Sequence, residues 1–369
     1  MVAATRHIQK GSLMRKMQDY IVQSKEVFIG LEDSKKSWKV AVQCEKQLIH
    51  QTSMPVDYYA LIGYLRNKYP KCIIKLMYEA GFHGFWLHDL LMKDGIECVV
   101  VPPHTVTDEK VKRVKTDKID ARRLAYNLEK GDYKSCYVPD KERREDRQLS
   151  RTLEDVQGDI VRTRNRIWKM LDFHGIDPKI DSEKPGKNDI RNLRKIAMEN
   201  PLLEALTVYI DLLEVYWQKQ KVLRDALRAL TKKAKYQKTY DIIRSAPGIG
   251  WFTAIRLVLE WGEDMKRFAN SRKIAGFIGL AGGEYSTGDT VKRGSLTGLG
   301  HRRSRSWLVE CAWASIRKDP VILDKYKRVL SNTGSKKKAI VAVARKMAGR
   351  LWYCVQNNQP YVVGLVSES

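Results

Sequence analysis

The chain has 369 residues, and its 68 Lys and Arg residues against 43 Asp and Glu residues give a formal net charge of +25. This length has room for two or three domains with their own cores, and the charge favours a polyanionic partner. Nucleic acid fits better than a membrane, because no apolar run reaches the roughly 18 to 20 residues of a spanning helix and the start lacks a signal-peptide pattern. The six cysteines contain no Cys-x-x-Cys pair, which argues against a zinc ribbon or disulfide framework and favours a cytoplasmic protein.

Alternating strands and helices are predicted after a polar, basic arm at residues 1–24. Residues 26–31 read as a buried strand that ends at the acidic pair Glu32-Asp33, and residues 37–42 complete a hairpin. Helices are predicted at 56–68 and 83–92, and strands at 72–78, directly before Glu79, and at 97–101. This order predicts an α/β sheet with parallel elements, and acids at strand ends occupy the edge at which open α/β sheets place their sites.

The run from Lys115 to Ala125 sets Asp117 and Asp120 three residues apart at the start of a predicted helix. Residues with this spacing lie on the same side of a helix. Two converging acids among cations are either surface salt-bridge partners or ligands for a hard metal such as Mg²⁺.

Residues 143–173 and 189–237 are charged, with apolar residues at helical intervals and few Gly or Pro. Two long antiparallel helices are therefore predicted, separated by a break at 175–187. A helical hairpin of this length needs a partner for its apolar stripe. We expect that partner to be a second copy of the chain; the alternative is a bundle within one chain.

A Pro-Gly-Ile-Gly turn at residues 247–250 joins two further predicted helices. It resembles a helix-hairpin-helix element, in which the turn and the following helix start offer backbone N–H groups to a phosphate. Gly248 and Gly250 are therefore candidates for contact with a nucleic-acid backbone, and the alternative is a compact interhelical turn.

Glycine, hydroxyl and arginine residues are concentrated between residues 279 and 305. Backbone that approaches a phosphate closely needs glycine, and arginine can bind phosphate through two N–H groups. The candidate phosphate-binding side chains are Arg293, His301, Arg302, Arg303 and Arg305.

Several short motifs occur together between Val27 and Tyr353. They are Ile29-Gly30-Leu31-Glu32, Tyr78-Glu79-Ala80-Gly81, Lys115-Thr116-Asp117-Lys118-Ile119-Asp120-Ala121, Pro247-Gly248-Ile249-Gly250 and Tyr285-Ser286-Thr287-Gly288. In combination they resemble the transposases of insertion-sequence family one hundred and ten, which are RNA-guided serine recombinases. The resemblance implies an α/β RuvC-like (RNase H-like) domain at 25–140, a helical coiled-coil oligomerisation region at 141–237, and a mainly α serine domain with the helix-hairpin-helix element at 238–369.

The resemblance also implies a catalytic Asp-Glu-Asp-Asp set that binds Mg²⁺. Its later three members fall on Glu79, Asp117 and Asp120. At the first position the family has Asp, whereas this chain has Glu32 followed by Asp33. Because neighbouring residues of a strand lie on opposite faces, Glu32 is the better match.

The family's serine nucleophile falls on one of two adjacent hydroxyls, Ser286 and Thr287. Ser286 is preferred, because a primary hydroxyl attacks phosphorus with less crowding than the branched side chain of Thr287. The glycines around them, Gly282, Gly283 and Gly288, predict a flexible loop that could deliver either side chain.

The function implied by the resemblance is transposition of an insertion sequence. The implied partners are donor and target DNA, a structured guide RNA (bridge RNA) and further copies of the chain in a dimer or tetramer, in a prokaryotic cytoplasm at the nucleoid. Two alternatives remain open. One is a metal-dependent RuvC-like nuclease or junction resolvase that uses water as the nucleophile, and the other is a catalytically inactive RNA- or DNA-binding relative.

Overall fold

The computed structural model describes residues 26–103, 117–180, 185–196, 198–287, 290–296 and 300–364. For residues 117–118, 284–287, 290–293 and 295, the description covers the backbone alone. The chain divides into two compact units, one up to Val138 and the other from Pro139.

A mixed five-stranded sheet forms the centre of the first unit. Its strands are β1 (Glu26–Asp33), β2 (Trp38–Cys44), β3 (Gln47–Met54), β4 (Ile73–Glu79) and β5 (Glu97–Val101). Their order across the sheet is β3-β2-β1-β4-β5. β2 is antiparallel to both β1 and β3, whereas β4 is parallel to both β1 and β5. The sheet thus contains the parallel elements that the sequence predicts.

Helices cover both faces of this sheet. They are α1 (Tyr58–Lys68), α2 (Trp86–Lys93) and α3 (Asp117–Lys130). On one face, α1 and α2 pack with alternate residues of β1 such as Ile29 and Leu31. On the other face, Leu124 and Leu128 of α3 pack against Met77 of β4. Because both faces are covered, the central strands read as nearly continuous apolar runs in the sequence.

The edge strand β3 is the part of the sheet that the sequence pattern does not reveal. Its sequence, QLIHQTSM, has no regular alternation, and its residues are only partly buried. The turn before it contains Glu45 and Lys46, both with positive φ (49° and 61°). Two-residue hairpin turns with such φ values usually contain Asn or Gly. The turn therefore lacks the residue types by which a hairpin is recognised.

Two long helices form the first part of the second unit. The elements here are α4 (Lys141–Phe173), α5 (Lys187–Asn192), a 3-10 turn (Leu193–Lys195) and α6 (Asn200–Leu230). The prediction of one continuous helix over 189–237 is wrong, because the chain leaves the helical path both before Asn200 and after Leu230. Pro201 stands in the first turn of α6. Its missing N–H does no harm there, whereas inside a longer helix it would remove a hydrogen bond.

The apolar stripes of α4 and α6 pack against each other within the chain. Ile160 and Ile167 of α4 share one core with Ile210, Leu213 and Trp217 of α6. The intramolecular alternative therefore describes these contacts, and association with a second copy stays a prediction. The two helices bury the stripe together with residues of the segment around α5.

The remainder of the second unit is mainly helical. It contains α7 (Ala234–Arg244), α8 (Trp251–Trp261), α9 (Ser271–Phe277), β6 (Gly282–Thr287), β7 (Thr290–Leu296), α10 (Arg302–Ser315), α11 (Pro320–Thr333) and α12 (Lys336–Gln356). Most of α8 is buried at the centre of this core. The coarser fold prediction is confirmed: an α/β N-terminal unit precedes a mainly helical region. None of the helices in the described ranges is long and apolar enough to cross a membrane.

Candidate active site

The candidate acids Glu32 and Glu79 lie at the ends of neighbouring parallel strands. They directly follow Leu31 of β1 and Tyr78 of β4, which form the last aligned pair of these strands. Corresponding residues of parallel strands share a face, and neighbouring strands lie about 4.8 Å apart. Glu32 and Glu79 therefore belong to the same face of the sheet, which is the face covered by α3.

Gly30 brings α3 close to this face. A Cβ atom at Gly30 would lie 2.9 Å from Cβ of Leu124 and closer still to backbone atoms of Ala121 and Ala125. Only glycine leaves space for such an approach. The close packing lays the first turns of α3 beside the strand ends, where Asp120 is only 6% exposed.

Arg123 connects an acid of the sheet with an acid of the helix. Its Nη2 atom lies 3.4 Å from Oδ1 of Asp120 and 3.9 Å from Oε1 of Glu79. All three side chains are partly or largely buried, so the attraction is screened less than it would be at an exposed surface. The structure therefore brings Glu79 and Asp120 together around one guanidinium group, with Glu32 on the same face.

The donor set at this edge suits a divalent cation. Carboxylate oxygens of Glu79 and Asp120 are the ligands that hard cations prefer. Asp117 lies three residues before Asp120 on α3, and its side chain is outside the described residues. Within the described ranges, no group of three or more His, Cys, Asp or Glu side chains is arranged to hold a metal ion. The carboxylates at this edge are thus suitable ligands for a cation. In the structure, the guanidinium of Arg123 supplies positive charge to two of them, Glu79 and Asp120.

Asp33 lies on the opposite face of the sheet from Glu32. It is buried, and its Oδ2 atom lies 3.0 Å from Nδ1 of His83. Burial raises the pKa of Asp33, and the hydrogen bond and charge of His83 act in the opposite direction. Strand alternation thus separates the two neighbouring acids, and Asp33 is the partner of His83.

The candidate nucleophiles lie in β6, the first strand of an antiparallel hairpin. The backbone register aligns Ser286 with Val291 and Thr287 with Thr290. The prediction of a flexible loop is wrong for these two residues, because they belong to a paired strand in which successive positions lie on opposite faces. The side chains of Ser286, Thr287 and Arg293, and the whole of Gly288, lie outside the described residues.

The segments that lead into and out of this hairpin are tied together at its base. The backbone N–H of His301 donates to the carbonyl oxygen of Phe277 at 2.6 Å, and the two rings stack at 5.5 Å between centroids. The guanidinium of Arg305 donates to the carbonyl oxygen of Gly279 at 3.3 Å. These contacts fix the position at which the strand carrying Ser286 leaves the helical core.

Both ring nitrogens of His301 are engaged within the protein. Nδ1 accepts a hydrogen bond from the backbone N–H of Ser304 at 3.2 Å and so caps α10. Nε2 therefore carries the proton, and it lies 3.3 Å from Oε2 of Glu260. In this conformation neither nitrogen is directed to a ligand.

Glu260 is the centre of a buried charge cluster that the sequence pattern does not reveal. It is 3% exposed, and besides His301 it contacts Arg147 at 3.3 Å and Arg151 at 3.6 Å. Burial alone raises the pKa of Glu260, but the hydrogen bond from His301 and the nearby charges outweigh burial and lower it to about 2. The one sequence signal is the spacing of Arg143, Arg147 and Arg151 at four-residue intervals on α4.

Arg303 also has a partner within the second unit. The carboxylate of Glu154 on α4 accepts hydrogen bonds from both Arg303 and Arg256. The guanidinium of Arg256 in addition lies over the ring of Trp307, 3.8 Å from its centroid. Arg302, by contrast, is exposed at the start of α10. Of the arginines in this helix, Arg302 is thus the best placed to meet a ligand.

The Pro-Gly-Ile-Gly turn joins α7 to α8. Gly248 has a φ of +84°, and a Cβ atom there would lie 2.7 Å from both the carbonyl oxygen of Cys311 and Oγ of Ser315. Gly248 is therefore required for the packing of this turn against α10. Gly250 is exposed at the N-cap of α8, whose first N–H groups have no carbonyl partner within the helix.

Two protein-family models match the chain. One, described as the transposase of the IS116/IS110/IS902 family, matches residues 240–327. The other, a DEDD transposase domain of the IS110 type, matches residues 29–176. The first match includes the Pro-Gly-Ile-Gly turn and the hairpin, and the second includes the sheet with its acids.

Individual relatives agree with these matches. The chain is 30% identical over 310 residues to y4qE of Sinorhizobium fredii, named as an inferred transposase, across 74% of this chain and 73% of the relative. The similarly named y4rJ of the same species is 28% identical across 88% of this chain and 91% of the relative. The transposase for insertion sequence element IS1533 of Leptospira borgpetersenii is 22% identical, with 69% and 74% of the two chains covered.

These similarities define the chain as a transposase, an enzyme that cleaves and recombines DNA. It belongs to the IS110/IS116/IS902 transposase family. The family resemblance predicted from the short motifs is therefore confirmed.

Proposed function

We propose that the chain is an RNA-guided DNA recombinase of an insertion sequence, which cleaves DNA through a covalent serine intermediate assisted by an acidic site that binds Mg²⁺. The observation that carries this proposal is the convergence of acids from β1, β4 and α3 at one edge of the sheet. The proposed acidic site consists of Glu32, Glu79, Asp117 and Asp120. Ser286 is the proposed nucleophile, and Thr287 is the second candidate.

The proposed domains follow from the same reasoning. A RuvC-like assignment of residues 25–140 is supported by a mixed sheet whose parallel strands β1 and β4 end in acids. Residues 141–237 are the proposed oligomerisation region, since they hold the long helices. Residues 238–369 are the proposed serine domain.

Glu79 and Asp120 are the described side chains that would hold a divalent cation, with Glu32 and Asp117 completing the set. When bound, the cation supplies positive charge to the phosphate under attack. Arg123 contacts two of the same carboxylates, so its guanidinium competes with a cation for them. Released from them, the guanidinium could donate hydrogen bonds to a phosphate oxygen at the same edge.

Ser286 would react by attack of its Oγ atom on phosphorus. The new Oγ–P bond forms as the bond from phosphorus to one DNA oxygen breaks, and the departing DNA oxygen takes a proton. Attack by a second DNA hydroxyl on this ester restores Ser286 and joins the strands without an external energy source. Since serine is weakly acidic and the reacting phosphate is highly charged, the step needs a base and nearby positive charge. Arg293 and Arg302 are the proposed contacts to the flanking phosphates.

The second unit carries a basic surface on α11 and α12 that suits a nucleic-acid backbone. Residues 317–350 contain eleven Lys and Arg residues against two Asp. Burial lowers the pKa of Lys346, and repulsion from Arg350, Lys325 and Arg328 adds to this effect. Cations held together in this way favour a polyanion that neutralises them. The proposed partners are donor and target DNA and a structured guide RNA. This basic surface, together with Gly248 and Gly250, would contact their backbones.

We further propose that the chain assembles through α6 into a dimer or tetramer. Val208, Leu212, Val215 and Val222 are exposed on this helix. Their spacing of three, four and seven residues aligns them in a stripe on one side. Contiguous exposed apolar residues of this kind favour a protein partner, and the same stripe on a second copy would cover it.

Substitution of the acids tests the acidic site. Asp117→Asn and Asp120→Asn should abolish recombination but leave guide RNA binding nearly unchanged, because an amide lacks the charge that binds a cation. Asp132→Asn is a matched control, since Asp132 is exposed just after α3 and pairs with Lys130 at 3.6 Å. Wild-type recombination by both variants in EDTA would overturn the metal-dependent proposal.

A further inference from the structure

Two aromatic side chains are exposed shortly after the acidic end of β4. Phe82 is 58% exposed and Trp86 is 39% exposed. Phe82 lies in the connection that follows Glu79, the last residue of β4, and Trp86 is the first residue of α2. Single exposed apolar residues need no explanation, but neighbouring exposed rings mark a candidate binding surface.

The connection that carries Phe82 and leads into α2 is held in one arrangement by buried partners. The hydroxyl of Tyr78 donates to the carbonyl oxygen of Gly84 at 2.9 Å. Nδ1 of His83 lies 3.0 Å from the carboxylate of Asp33 beneath the loop. Because the loop is ordered before a ligand binds, less conformational entropy is lost on binding.

Phe82 and Trp86 belong to one continuous aromatic cluster. The ring of His83 lies 4.0 Å from that of Phe82 and 6.1 Å from that of Trp86. Trp38, which is fully buried, stacks against Trp86 at 6.2 Å with an interplanar angle of 30°. Trp38 is therefore part of the core, and it supports Trp86 from below.

Positive charge borders the exposed rings. Nζ of Lys35 lies 5.4 Å from the centroid of the Phe82 ring, and the neighbouring Lys36 is exposed in the turn after β1. Proteins bind unpaired nucleic-acid strands by this combination, in which aromatic rings stack on bases and cations contact phosphates. A duplex keeps its bases inside, so the rings suit an unpaired base.

We propose that Phe82 and Trp86 form a stacking platform for an unpaired nucleobase, with Lys35 and Lys36 contacting the adjacent phosphates. Phe82 follows Glu79 by three residues, so the platform would hold an unpaired strand at the end of the sheet at which the acids stand. In that respect the inference rests on the proposed function, because the acidic site would act on the strand held there.

Binding of oligonucleotides to the full chain tests the platform. Phe82→Ala and Trp86→Ala should each weaken binding to a hairpin with an unpaired loop by about fivefold or more, since each removes a stacking surface. The same substitutions should weaken binding to a fully paired duplex, or to a hairpin whose loop has abasic sites, by less than about twofold. Tyr59→Ala is the matched control, because it removes an aromatic side chain that is 81% exposed on α1.

Phe82→Tyr should retain binding, because it keeps the ring. DNA and RNA loops are measured separately, and a selective loss with either supports the platform and identifies the strand. An equal loss for the duplex, a loss no larger than that of Tyr59→Ala, or an altered oligomeric mass of the variants would overturn it. Recombination by Asp120→Asn tests the proposed function separately, because that variant keeps both rings.

Discussion

Glu260→Gln tests the buried charge cluster around Glu260, which His301 joins to the base of the hairpin formed by β6 and β7. The pKa of Glu260 is about 2 in the folded chain against a reference value of 4.5. Each unit of difference corresponds to about 1.4 kcal/mol, so the carboxylate contributes about 3 kcal/mol to stability at pH 7. The amide keeps the size of the side chain but leaves Arg147, Arg151 and His301 without their buried anion. We therefore expect the free energy of unfolding to fall by about 3 kcal/mol.

The pH dependence of this difference has a definite sign. The pKa of Glu260 is lowered by folding, so its stabilisation is fully present above pH 4.5 and is lost as the pH falls through about 2. The difference between the wild type and Glu260→Gln should thus be constant near neutral pH. By pH 3 it should have fallen to about half of its neutral value.

Urea unfolding followed by tryptophan fluorescence measures this difference, because the unfolding free energy falls linearly with denaturant. Measurements at pH 7, 5 and 3 sample the predicted range. Glu310→Gln is the matched control, since Glu310 is exposed on α10 and its substitution should change stability by less than about 0.5 kcal/mol. Equal stability of Glu260→Gln and the wild type at pH 7, or a difference that grows as the pH falls, would refute the proposed role of this cluster.

Three further outcomes are expected. Gly30→Ala should destabilise the first unit by about 3 kcal/mol in thermal or urea unfolding, because the added Cβ atom would meet the backbone of α3. Gly63→Ala is the control and should not destabilise it, because a Cβ atom there would have open space around it. Affinity for duplex DNA should fall steeply with salt, and Arg328→Gln or Lys346→Gln should each reduce the log–log slope by about 0.9; an unchanged slope would exclude these contacts. Val215→Asp should lower the oligomeric mass in light scattering, and an unchanged mass would exclude this stripe as the interface.

The acidic edge could be predicted because its signals are local. Apolar runs located β1 and β4, and each run ends at an acid, Glu32 or Glu79. The three-residue spacing of Asp117 and Asp120 placed both on one side of α3. The contact that joins these segments depends on Gly30, which the sequence alone does not distinguish from any other glycine in a strand.

The cluster around Glu260 could not be predicted, because its members are distant in the sequence. Arg147 lies on α4 and His301 precedes α10, so no window of the sequence contains both. Charged residues on a helix are usually exposed, and their burial here depends on the packing of α4, α8 and α10. The hairpin around Ser286 could not be predicted for a different reason. Its glycines favour a loop, and only the pairing of β6 with β7 makes this segment a strand.

The most direct test of the central proposal is to trap the protein–DNA adduct on a nicked suicide substrate and to map the modified residue by mass spectrometry. We predict a phosphodiester on Ser286, which is absent in Ser286→Ala and partly retained in Thr287→Ala. A phosphodiester on Thr287, or an adduct that persists in Ser286→Ala, would contradict the assignment of the nucleophile. Cleavage without any adduct would contradict the serine mechanism and favour a nuclease that uses water.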